Sequence, residues 1–124
     1  RCTIPRVPTF DKSNDFEVDY RQLRRIAAIR LVDTTEPPPT DFDVVVCDDR
    51  ASGDGCRDFA RVRGNTSCDL DLRCQSRDCS EDALWLDGNR VIVRVYREVD
   101  ESGRDAWSTI HEIIVNPIEV RSTG

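Results

Sequence analysis

The sequence predicts a mainly β, antiparallel fold, and three observations carry that expectation. "RVIVRVYREV" sets Val91, Val93, Val95 and Val99 on one face at period two, with Arg94 and Glu98 on the other, the alternation of a long half-buried strand. "FDVVVCD" repeats the pattern, with Phe42, Val44 and Val46 on one side and Val45 and Cys47 on the other. Turn residues punctuate the chain between such runs: Asp87 with Gly88, "DESG" from Asp100, and the prolines at 37–39.

The first element admits two readings. "DFEVDY" alternates, turning Phe16, Val18 and Tyr20 to one side as a strand would. Phe16, Tyr20, Leu23 and Ala27 also recur at four, three and four, as on a helix, with Asn14 and Glu17 as an imperfect capping pair. The strand is preferred, because 26–32 is apolar nearly all round and the remaining elements are β. Pro37, Pro38 and Pro39 cannot donate to a ladder and mark an extended connection. Strand 42–47 then enters a cysteine-rich loop, 47–79. Beyond it a short strand at 83–86 turns through Asp87 and Gly88, as a two-residue hairpin, into the long strand at 90–99. "DESG" places Asp and Gly at the first and fourth positions of a type I turn and leads into a last strand at 105–115, ended by Pro117.

These segments describe an antiparallel β-sandwich of immunoglobulin-like kind with a disulfide-rich loop insertion. Trp85 and Trp107 both lie beyond the last cysteine, so the antibody pattern of a Trp between two strand cysteines is missing. The helical reading of 14–28 gives a different layout: α+β, one helix on an antiparallel sheet, similar to that of the cystatins, which are protease inhibitors. The cystatin QxVxG hairpin is absent from the sequence.

A chain of 124 residues fits a single domain that buries roughly two thirds of its unfolded surface, so a core forms without help from metal. "VNPIEVRSTG" at the end reads as the close of a domain, 1–124, excised from a longer chain. Eighteen basic residues against 24 acidic ones give a net charge of −6, with the signs interspersed. That balance argues against a nucleic-acid partner, whose phosphates require a clustered positive surface. No apolar run reaches the ~18 residues of a bilayer crossing, so no membrane insertion is expected of this domain.

The cysteines decide the compartment. Cys2, Cys47, Cys56, Cys68, Cys74 and Cys79 make an even set, and from Cys47 onward the gaps are eight, eleven, five and four residues. Zinc sites bring cysteines in pairs two to four residues apart, because both thiolates must reach one tetrahedral ion. A redox centre calls for CxxC or a thiol beside a base. Disulfides fit the spacing better. "NTS" makes Asn65 an N-glycosylation sequon inside the same segment, and the two features together predict an oxidising, extracellular setting. The six cysteines leave the connectivity open. Asp69 and Asp71 alternate in an acidic stretch and are the weak calcium candidates; the helix-loop-helix frame fails, since the next oxygen would fall on Arg73 and no Gly follows.

No nucleophile elbow, phosphate loop or dinucleotide fingerprint occurs, and His111 is the sole histidine, without a second base or nucleophile in a recognisable pattern. The sequence therefore predicts no enzyme and no cofactor. It predicts a non-catalytic extracellular module that binds another protein through its stapled loop, with Arg57, Phe59, Arg61 and Arg63 of "RDFARVR" as the binding residues, an arginine-aromatic composition enriched at hot spots. The alternatives are a secreted disulfide-bonded protease inhibitor and a calcium-binding extracellular module.

Overall fold

The computed structural model describes residues 6–32, 39–50, 55–79 and 84–117. Eight strands form among them: β1 (Arg6–Ile26), β2 (Ala28–Val32), β3 (Phe42–Cys47), β4 (Cys56–Val62), β5 (Asp69–Arg73), β6 (Leu86–Asp100), β7 (Asp105–Ala106) and β8 (Glu112–Val115). All neighbours pair antiparallel. One sheet, A, runs β1-β6-β3-β4, with β7 added to β6; the other, B, runs β5-β2-β8.

The two sheets share one core. Val91, Val93 and Val95 of β6 and Phe42, Val44 and Val46 of β3 are fully buried and cluster with Ile29 and Leu31 of β2 and Leu72 of β5. β-branched side chains at period two fit a pleated surface with one buried face, and that is why these strands form where the alternation placed them. Phe16 of β1, and Ile113 and Val115 of β8, close the rim of the cluster.

Several expectations are corrected. No helix forms among the described residues: β1 runs unbroken through the ambiguous stretch to Ile26, and only Ala27 separates it from β2. The α+β layout fails because Phe16, Val18 and Tyr20 have the half-buried alternation of a strand paired with β6. Asp87 and Gly88 make no hairpin; β6 passes straight through them and pairs with Arg25 and Arg24. Gly88 serves close approach instead, for a Cβ there would lie 2.5 Å from Val46 Cγ1 and 2.7 Å from the Cys47 carbonyl oxygen. Leu86 accordingly begins β6, while residue 83 lies outside the described residues. The last expected strand is two, β7 and β8, separated by 107–111, and His111 is exposed just ahead of β8. The "DESG" turn is present, with the Gly103 amide donating to the Asp100 carbonyl at 3.0 Å and Gly103 at φ 77°.

Glu98 departs furthest from its expected outward position. It is fully buried, its carboxylate accepting from the Thr40 hydroxyl at 2.6 Å and the Ser108 hydroxyl at 3.1 Å, with the Arg6 guanidinium 3.9 Å away. The cause is a break in the β1/β6 ladder: Pro8 faces Glu98 and Ser13 faces Tyr96, so four residues of β1 stand opposite Arg97 alone and the alternation slips there.

Candidate functional site

The segment 47–79 is stapled but is not a loop throughout. Cys47 and Cys56 are directly paired across β3 and β4, Cα atoms 3.9 Å apart, and bonded to each other; Cys74 bonds to Cys79 at 6.0 Å. Cys68 is also disulfide-bonded, and no described cysteine is free. Cys2 lies outside the described residues. Between the staples the chain builds β4 at the edge of sheet A and β5 at the edge of sheet B. β4 escaped the sequence pattern because of a bulge: Val44 pairs with Ala60 and Val45 with Asp58, leaving Phe59 extra, so two consecutive residues are buried where alternation predicts one. The signal for β5 was present in "DLDLR", whose leucines turn inward and whose charges turn outward.

The bulge also divides the predicted binding residues. Phe59 is 0 % exposed, a core side chain that no partner reaches. Arg57 is half-buried and donates to the Asp87 carbonyl at 3.1 Å, bracing β4 against the start of β6. Arg61 and Arg63 alone stand on the outer face of sheet A, both beside Asp43 of β3, at 3.7 and 3.0 Å. Arg63 further donates to the Val62 carbonyl at 2.8 Å.

The aromatic partner of these arginines comes from elsewhere. Phe10, on the four-residue excursion of β1, has φ 59° and is 50 % exposed. It meets Tyr96 of β6 edge to face, ring centres 4.9 Å apart. The Arg63 guanidinium lies 5.2 Å from the Phe10 ring centre and 5.6 Å from that of Tyr96. The Tyr96 hydroxyl donates to Asp43, and burial together with that bond pushes its ionisation above the ordinary tyrosine value. An outward aromatic at Tyr96 was visible in the β6 alternation; Phe10 carried no local signal.

Around this cluster the outer face is a lattice of opposite charges. Asp15 of β1, Arg94 of β6, Asp43 of β3 and Arg61 of β4 follow one another across the sheet in register. Arg94 donates to Asp15 at 3.0 Å, Arg90 to Asp49 at 3.0 Å and to Glu17, and Arg97 to Asp11 at 3.0 Å and to Asp105. These bonds hold the Asp11 carboxyl down to about 2, chiefly through Arg97 and then Thr9, and raise Arg90, Arg94 and Arg97. Exposed pairs of this kind stabilise little individually but fix side-chain positions when meshed.

Beside β4 the Cys74–Cys79 turn is sewn to the edge, the Gln75 amide donating to the Phe59 carbonyl at 2.8 Å and the Ser76 hydroxyl to that of Asp58. An open groove of about 460 Å³ results, lined by Asp58, Arg61, Gln75, Ser76, Arg77 and Asp78 with Ala60 at its floor. Asn65 sits inside. Its Nδ2 donates to the Pro39 and Ser67 carbonyls at 3.2 and 3.0 Å and its Oδ1 accepts from the Ser67 amide at 3.1 Å. The nitrogen that would carry a glycan is thus a peg between two connections, and attachment there replaces one of its two N–H groups, so at least one of those donations is lost. Asp69 and Asp71 lie on the exposed side of β5, Asp71 held by Arg30 at 2.7 Å. Among the described residues no three His, Cys, Asp or Glu side chains gather as a metal would need.

No protein-family model, curated protein or solved structure matches the chain. Among the described residues no helix is long and apolar enough to cross a membrane.

Proposed function

We propose that the protein is a non-catalytic extracellular recognition module that binds another protein through the outer face of sheet A. The observation that carries this reading is the Phe10–Tyr96–Arg63 cluster: a half-exposed phenylalanine, held in a left-handed bulge and braced by a ring and a guanidinium, beside Arg61 and the groove along β4. Rigid aromatic and arginine anchors lose little entropy on binding and dominate interface energetics. The disulfides Cys47–Cys56 and Cys74–Cys79 support an oxidising compartment. The shared core of two antiparallel sheets supports the immunoglobulin-like scaffold as a reading of architecture. The inhibitor alternative rested on a helix over 14–28, where β1 runs instead, and among the described residues no carboxylates are grouped for calcium.

The test is a binding curve. Biotinylated, disulfide-bonded protein is screened against an array of purified ectodomains and secreted proteins, and hits are titrated with variants. Phe10→Ala and Arg63→Ala are expected to weaken the complex at least tenfold, with melting temperatures near that of the parent. Equal affinity for both variants and the parent would remove this face from the function.

A further inference from the structure

β1 leaves the β6 ladder twice, and each time four residues stand opposite one. Thr9, Phe10, Asp11 and Lys12 face Arg97; Tyr20, Arg21, Gln22 and Leu23 face Asn89. In both excursions the second residue is turned to φ 59°, a conformation bulky side chains rarely adopt. The first makes the Phe10 cluster. The second lies eight β6 residues away, about 27 Å along the strand.

The chemistry of the second excursion differs from that of the face. On the face Arg90, Arg94 and Arg97 each grip a carboxylate. Here the arginines rest on rings: the Arg24 guanidinium is 4.2 Å from the Tyr20 ring centre, and that of Arg25 is 3.9 Å from the Trp85 ring centre. Arg21 and Arg24 have no ion pair among the described residues, and the Arg25 contact to Asp87 is a loose 3.9 Å. A guanidinium laid on a ring is held by its face and keeps its in-plane N–H fork for a carboxylate. Leu23 is 42 % exposed, and Leu84, next to Trp85, is 55 % exposed. On a chain of net charge −6, "RQLRR" at 21–25 is a local excess of positive charge set among apolar side chains. Arg24 and Arg25, as successive residues of an edge strand, project to its two sides, so a segment running along the edge meets one guanidinium on each.

We propose that this end of β1 is a second docking surface, formed by Tyr20, Arg21, Leu23, Arg24, Arg25 and Trp85, for an extended acidic segment of another protein with apolar side chains between its carboxylates. Charge complementarity supplies the acidic requirement. The exposed leucine and the two rings supply the apolar one, which a sulfated polysaccharide cannot meet.

Fluorescence anisotropy of the folded, disulfide-bonded protein tests the assignment. The probe is a labelled twelve-residue peptide of glutamates alternating with leucine and phenylalanine; its glutamine analogue and a heparin-derived dodecasaccharide are the comparisons. Binding of the acidic peptide is expected to weaken with salt, to fall about tenfold in Arg24→Ala and in Arg25→Ala, to recover only in part in Arg24→Lys, and to be absent for the glutamine peptide. Arg61→Ala should leave it unchanged, so failure here is separable from failure of the Phe10 face. A peptide that does not bind, equal binding by the Arg24→Ala/Arg25→Ala double variant with an unchanged melting curve, or tighter binding of the dodecasaccharide through the same arginines would each overturn the proposal.

Discussion

β6 and β1 are the two longest strands and pair with each other, yet they are held by different forces. β6 is central in sheet A, with β1 and β3 on its flanks, and buries Val91, Val93 and Val95 completely. β1 is an edge strand whose Phe16, Val18 and Tyr20 are only half-buried, and it departs from the ladder twice. Burial on one face specifies register tightly, because a one-residue slip would expose the whole apolar set. Where burial is partial, register can break, and ion pairs such as Arg94 to Asp15 and Arg97 to Asp11 fasten the segments between breaks. The difference teaches where this fold keeps its stability and where it is free to carry function.

The largest effect should separate the two strands at one cross-strand pair. Val93 and Phe16 are direct neighbours. Val93→Asp puts a charge into a fully buried position without a partner and should abolish folding, since such a cost exceeds the margin of a small domain. Phe16→Ala, on the half-buried side of the same pair, should cost about 2 kcal/mol and leave a cooperative urea transition. Similar losses for both would mean that β1 shares the core role of β6.

A smaller effect is expected at Gly88, where the close approach of β6 to β3 leaves no room for a methyl group. Gly88→Ala should lower stability by about 1–3 kcal/mol through overpacking, read as a lower urea midpoint at constant slope. A stability gain, as at an exposed strand glycine, would show that β3 leaves room for the methyl group.

The smallest effect belongs to the β1 fastening. The carboxyl of Asp11 is depressed from 3.8 to about 2. Its ionised form therefore favours the folded state fully above pH ~4, and that contribution disappears as the pH falls through 2. Asp11→Asn should flatten the acid limb of the melting temperature between those values, slightly, and less so in high salt because the pair is exposed. A carboxyl titration of Asp11 near 3.8 would dissolve the Arg97 fastening.

What the sequence made legible follows the same division. β3 and β6 were readable because alternation over 42–46 and 91–95 coincided with full burial of one face. β4 was hidden because the bulge at Phe59 breaks period two, and so the same residue looked like a surface anchor when it is core. Of the residues in the proposed site, Arg61 and Arg63 were named from the sequence, and the rings beside Arg63 were not. Phe10 and Tyr96 join Arg63 only through a left-handed bulge and three strands far apart in the chain, a juxtaposition no local pattern encodes. Glu98 was misplaced for a related reason: the ladder slip opposite Arg97 reverses which face a residue takes.

The breaks in β1 also bear on how the protein behaves when crowded. An edge strand of 21 residues, if flat, would be a template for another chain to extend the sheet and seed insoluble assemblies. The excursions cut its ladder with β6 into short lengths, the longest running over 13–19. Within that length Asp15, Glu17 and Asp19 point to one side, so a second copy laid antiparallel would bring carboxylates against carboxylates. The opposite edge, β4, is covered at Asp58 and Phe59 by Ser76 and Gln75. Sheet A thus has one edge interrupted and the other covered, and the same interruptions that set out the arginines and Phe10 leave no straight seam for another chain to extend.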